Sequence, residues 1–79
     1  EKEWQMYLSL IDKQLASDLS KVRYLSFDDG VVCLGVENKA QVEMIEEHFA
    51  DVSVLTHAQL CAVKTFGKKI SLNYKLVKQ

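Results

Sequence analysis

The sequence predicts a small two-layer α+β domain, with elements in the order α-β-β-α-α-β and a three-stranded sheet carrying its helices packed on one face. Three observations lead there. An apolar repeat of helical period opens the chain, an Asp-Gly turn joins two strand-like runs, and a two-residue alternation closes it.

Trp4, Leu8, Ile11 and Leu15 recur at i, i+4, i+7 and i+11 with Tyr7 beside them, the period of one amphipathic helix over residues 2–16. Ser17-Asp18 ends that pattern, and a short link leads to Val22-Arg23-Tyr24-Leu25-Ser26-Phe27, whose β-branched and aromatic residues favour a strand. Asp28-Asp29-Gly30 is read as a hairpin turn, because Gly takes a positive φ without steric cost. Residues 31–36 are then the returning antiparallel strand.

Asn38 with Gln41 three residues on makes an approximate capping box for a helix over residues 39–49. Val42, Ile45 and Phe49 form its inward stripe, while Glu43, Glu46, Glu47 and the following Asp51 face water. Thr56 and Gln59, flanked by Leu55 and Leu60, make a second box with a hydrophobic staple. A third helix is therefore expected from near His57, with Val63 and Phe66 on its buried stripe. Gly67 is placed as a left-handed cap, and Ile70, Leu72, Tyr74 and Leu76 alternate with polar residues as a half-buried last strand.

Seventy-nine residues, 48% hydrophobic and 27% charged with three glycines and no proline, fit one folded domain spanning residues 1–79. Its start at Glu1 and its polar ends suggest a segment of a longer protein. No apolar run approaches the ~20 residues of a membrane span, and no signal-peptide pattern is present, so a soluble, non-exported domain is expected. Cys33 and Cys61 lie in apolar runs without CxxC spacing, which reads as two reduced, buried, inert thiols and a cytoplasmic setting.

Chemistry is sparse. His48 and His57 are the only histidines, both at expected helix ends, and no HExxH, GxSxG or phosphate-loop pattern occurs. The expectation is a non-enzyme with no cofactor and no metal. Glu43, Glu46 and Glu47 describe either a solvated helix face or a patch for a protein partner. Trp4 is weighed evenly between core anchor and interface residue, since tryptophan is enriched at binding hot spots.

Charge is unevenly spread. Residues 37–51 carry five acids and one lysine, whereas residues 64–79 carry five lysines and no acid, within a net charge of −1. A sequence pI near 6.1 argues against a dedicated nucleic-acid binder, leaving Lys64, Lys68 and Lys69 for at most weak contact with single-stranded DNA. The KH nucleic-acid fold also joins helices to a three-stranded sheet, but it grips backbone through a GxxG loop. Gly67-Lys68-Lys69-Ile70, the nearest match, lacks the second glycine.

From Trp4 to Val77 the chain resembles the KH-like N-terminal domain of the bacterial replication initiator DnaA. The likeness rests on the Trp-led first helix, on Leu25-Ser26-Phe27-Asp28-Asp29-Gly30-Val31-Val32, on Val36-Glu37-Asn38 opening a helix that closes as Ile45-Glu46-Glu47-His48-Phe49, and on Phe66-Gly67-Lys68-Lys69-Ile70. Two departures stand out: that family has a second short helix with an aromatic pair before the first strand, and residues 50–65 are longer here. The chain is also similar to the C-terminal domain of the γ/τ subunit of bacterial DNA polymerase III. Either resemblance implies a domain that binds without catalysis, recruiting a helicase, polymerase or regulator or a second copy of itself. Trp4 is the position it marks for self-association.

Overall fold

The computed structural model, which describes residues 2–77, divides the opening apolar repeat into two helices rather than one: α1 over Lys2–Leu10 and α2 over Lys13–Ser20. Asp12 makes the break. Its backbone is extended (φ −52°, ψ 136°), and its carboxylate accepts hydrogen bonds from the amides of Gln14 and Leu15 at 3.1 and 3.3 Å. A side chain that satisfies orphan helix amides starts a new helix as readily as it ends an old one. The apolar period survives the break, because Trp4, Tyr7, Ile11, Leu15 and Leu19 all reach one core. α2 thus takes in the end of the predicted helix, residues 13–16, and extends to Ser20 through the stretch that the sequence assigned to a link.

β1 (Arg23–Asp28) and β2 (Val31–Val36) form the expected hairpin. Asp29 and Gly30 both have positive φ, 49° and 79°, the backbone of a type I′ turn. Next come α3 (Lys39–Phe49), α4 (Val52–Phe66) and β3 (Ser71–Leu76), which completes a sheet ordered β1-β2-β3. β3 runs parallel to the central β2, so the chain must cross over between them, and α3 and α4 are that crossover. The α+β class and the three-stranded sheet are as the sequence predicts. The order gains one helix, to α-α-β-β-α-α-β.

The register aligns Tyr24, Leu34 and Tyr74 across the sheet, and likewise Phe27, Val32 and Leu72. It shifts by one between Tyr24 and Ser26, a bulge at Leu25 that lets Tyr24 and Phe27, three residues apart, face the same way. Both rings reach the helical layer: Tyr24 lies 5.6 Å from Trp4 and Phe27 4.8 Å from Phe66, centroid to centroid. The opposite face, with Arg23, Ser26, Cys33, Asn73 and Lys75, is left open. Cys33 is consequently half-buried between Ser26 and Asn73 rather than sealed in the core, whereas Cys61 is buried; both thiols are free.

α4 starts well before His57. The Asp51 carboxylate accepts from the amide and the hydroxyl of Ser53, at 2.9 and 2.7 Å, so Asp51 caps the helix and Thr56 lies inside it. Fifteen residues make a helix of about 22 Å. It packs through the small side chains of Ala58, Cys61 and Ala62, and Val63 points outward instead of continuing the buried stripe. Gly67 caps it in the left-handed conformation (φ 78°), as predicted, and Ile70 is buried just ahead of β3. Leu76, expected on the buried side, is exposed. No described helix is long and apolar enough to cross a membrane.

Candidate interaction surfaces

The local chemistry of α3 sets where its acids point. Asn38 caps the helix by accepting from the Gln41 amide at 3.1 Å, and the Gln41 side chain accepts from the Glu37 amide at 2.7 Å. With Ile45 buried by this phasing, Glu43, Glu46 and Glu47 are exposed, as the sequence expected. They do not form one patch. Glu46 turns toward the sheet and accepts a hydrogen bond from the Tyr74 hydroxyl at 2.7 Å. Burial, then this carboxylate, pushes the Tyr74 phenol above its ordinary value.

Glu47 turns the other way, into a cleft of about 520 Å³ between α2, α3 and α4, where it joins Asp12, Gln14, Asp18, His48 and Asp51 over Met44 and Val54. The cleft is held by a tie between helices: His48 Nε2 lies 2.6 Å from the Asp18 carboxylate. That hydrogen bond holds the Asp18 carboxyl below the usual carboxylate range, with Lys21 at 3.5 Å adding to the effect. Hydrogen bonds from the Ser53 hydroxyl and amide likewise lower Asp51. Of the three glutamates read from the sequence, only Glu47 enters this constellation. Asp12 and Asp18 escaped sequence reasoning because their helix was misbounded, and Asp51 was grouped with the solvated acids of α3 rather than recognised as the cap of α4.

The lysines gather at the far end of α4. Lys64 is in its last turn, Lys68 and Lys69 follow Gly67, and all three are exposed. Gln59 fixes the segment after them with a pair of bonds, its amide donating to the Ile70 carbonyl at 3.1 Å and its oxygen accepting from the Ile70 amide at 3.2 Å. Lys78, the last of the five C-terminal lysines, lies outside the described residues.

Trp4 belongs to the core. It is 3% exposed, with its ring 5.4 Å from Tyr7 in a stacked arrangement. Of the two readings weighed for it, the structure shows the core anchor: α1 turns this side chain onto Tyr7 and Tyr24. Its burial follows from the bulge in β1, which brings Tyr24 underneath it.

One surface was not anticipated. The outer side of α4 is apolar, with Val52 74%, Leu55 38%, Leu60 59% and Val63 44% exposed. Leu55, Thr56, Gln59, Leu60 and Val63 line a shallow groove of about 310 Å³ with Lys69 at its rim. An exposed apolar patch rimmed by polar residues ordinarily marks a contact surface. The signal was present in Val52, Val54 and Leu55, but a helix thought to begin near His57 left them out.

His57 Nε2 lies 3.7 Å from the Cys61 sulfur, one helical turn away, but Cys61 is buried with its thiol toward the Leu10 carbonyl at 3.6 Å. The thiol is thus packed within the core between α1 and α4. Among the described residues no group of three His, Cys, Asp or Glu side chains is placed to hold a metal ion.

Comparison with known proteins finds no match for this chain: no family model, no curated protein and no solved structure is similar to it, so the likeness to DnaA and to the polymerase III subunit rests on the quoted sequence phrases alone.

Proposed function

We propose that the domain is a non-catalytic protein-docking module of bacterial DNA replication, recruiting a helicase, polymerase subunit or regulator through a basic, partly apolar segment of that partner. The observation that carries this reading is the cleft between α2, α3 and α4, whose carboxylates Asp12, Asp18, Glu47 and Asp51 rim an apolar floor of Met44 and Val54. Such a mixture suits a segment bearing lysine or arginine beside an aliphatic residue, since opposite potentials steer encounter and the apolar floor supplies burial. The replication setting comes from the sequence resemblance. α2 supports it by supplying a second helix ahead of the first strand, although the long α4 departs from the initiator-like layout.

The test is a proton–nitrogen NMR titration of the labelled domain with purified replication proteins at physiological salt. Shifts are expected around Gln14, Met44 and Glu47, and are expected to vanish in Glu47→Lys. Silence against every replication protein would overturn the reading.

A second reading is weak binding of single-stranded DNA, favoured by the clustering of Lys64, Lys68 and Lys69 at one exposed end of α4. It predicts a salt-sensitive affinity that is lost when these three are replaced by alanine.

A further inference from the structure

We infer that the cavity between α3, α4 and β3 is a binding site for a small primary amine that carries a hydroxyl at the far end of a short apolar body. The cavity holds about 340 Å³, at the small end of ligand pockets. Phe49 of α3, Leu55 and Ala58 of α4 and Leu72 of β3 supply its apolar walls, while Tyr7 reaches it from α1 and Glu46 from α3. It shares no lining residue with the acidic cleft.

Tyr7 is the unusual member. Its ring packs against Trp4 and Phe66, with centroids 5.4 and 5.9 Å away, and the residue is only 2% exposed. A phenylalanine would supply that packing, whereas a buried hydroxyl costs free energy unless something bonds it. No described residue hydrogen-bonds the Tyr7 hydroxyl, yet among the described residues no side-chain oxygen or nitrogen is both sealed from the surface and unpartnered. The hydroxyl therefore opens into the cavity that Tyr7 lines. Burial raises its pKa to about 12, so at neutral pH it is a phenol that both donates and accepts.

Glu46 selects the charge of the occupant. It is the one acidic or basic residue of the lining. Its Oε2 accepts from the Tyr74 hydroxyl at 2.7 Å, which fixes the carboxylate toward the sheet, and among the described residues its Oε1 has no partner. An ammonium suits that oxygen, and an anion is repelled by it. Gln59 has both ends of its side-chain amide bonded to the Ile70 backbone, at 3.1 and 3.2 Å, so it stiffens one wall and leaves the ligand's polar groups to Glu46 and Tyr7. An exposed carboxylate alone gives little affinity; here the apolar walls supply burial and the phenol supplies selectivity. The site goes beyond the docking reading and does not depend on it: a chain that ignores replication proteins yet takes up the amine loses the first proposal and keeps this one.

Tyramine, with an ammonium at one end of a benzene ring and a phenol at the other, is the probe. In a proton–nitrogen NMR titration of the 79-residue chain at neutral pH, saturable shifts are expected at the amides of Phe49, Ala58, Ser71 and Leu72. A Kd on the order of 1 mM suits a molecule of about ten non-hydrogen atoms. Phenethylamine, which lacks the hydroxyl, should bind about fivefold more weakly, and para-hydroxyphenylpropionate, in which a carboxylate replaces the ammonium, should not bind. Tyr7→Phe should bring tyramine down to the affinity of phenethylamine and leave phenethylamine as it was. Glu46→Gln, at an exposed position, should weaken both amines about fivefold. If Tyr7→Phe does not fold, the comparison of the two amines on the parent chain decides, and equal affinities would overturn the inference. So would the absence of shifts up to ~10 mM tyramine, equal binding of the carboxylate, shifts confined to Asp18 and Glu47 in the acidic cleft, or a Tyr7→Phe chain that still prefers tyramine.

Discussion

The contact between Asp18 and His48 is the main polar tie between α2 and α3, and its pH dependence follows from its sign. The folded-state pKa of Asp18 is depressed, so its contribution to stability is present above the unfolded carboxylate value of about 3.9 and is lost as pH falls through the lower folded value. Asp18→Asn is therefore expected to lower the urea midpoint at pH 6, with the difference from the parent closing below about pH 4. Urea melts at a series of pH values would show it; a difference that persists undiminished at low pH would mean the tie is not carboxylate-based. Gly67 makes a separate case at the same scale. An added Cβ there meets nothing within 4 Å, so Gly67→Ala costs only the left-handed backbone, about 1 kcal/mol. Gly67→Asn should cost less, since Asn tolerates that conformation, and comparing the two denaturation curves separates backbone strain from packing.

Among the elements, α2 depends most on a single side chain. Asp12→Ala leaves the amides of Gln14 and Leu15 without their acceptor and is expected to destabilise the domain by about 1 kcal/mol, with hydrogen exchange quickening first at those two amides. Exchange that rises equally everywhere would place Asp12 outside the role of a local cap. This residue also shows how far the sequence could be read. The helical period through Trp4, Ile11 and Leu15 is visible, and all three are core residues, but a helix that breaks and resumes in phase looks like one that never broke. The hairpin and the Gly67 cap were legible because positive φ leaves a strong residue signature. α4 was misplaced because Thr56 and Gln59 imitate a capping box inside the helix, whereas the cap the structure uses is Asp51, which accepts from Ser53. The acidic cleft was only partly legible for the same reason: Glu47 lies on a correctly bounded helix, but its neighbours Asp12 and Asp51 cap helices whose starts were misassigned. A cleft assembled from three helix ends has no local spacing to reveal it.

For the whole molecule, the interior sets the alkaline limit of stability much as the carboxylates set the acid one. Tyr7, buried beneath Trp4 and Phe66, has its phenol raised to about 12 by burial, with the Cys61 thiol adding to the effect. A folded-state value above the unfolded one of about 10 gives stability that is whole below pH 10 and is lost as pH rises toward 12. Tyr7→Phe should flatten that alkaline loss in urea melts between pH 9 and pH 12, and a loss of the same steepness in the variant would assign it to another group. The sheet adds a consequence in time rather than in energy. β1 and β2 meet across a two-residue turn, a closure that takes microseconds, whereas Val31 pairs with Ser71 only after the intervening chain has been gathered up by α3 and α4. The parallel strand is thus the late event of folding, and until it arrives the central strand has a vacant edge. A nascent or truncated chain that stops short of β3 would expose that edge as a template for another chain, so the last described strand is also the fold's safeguard against aggregation.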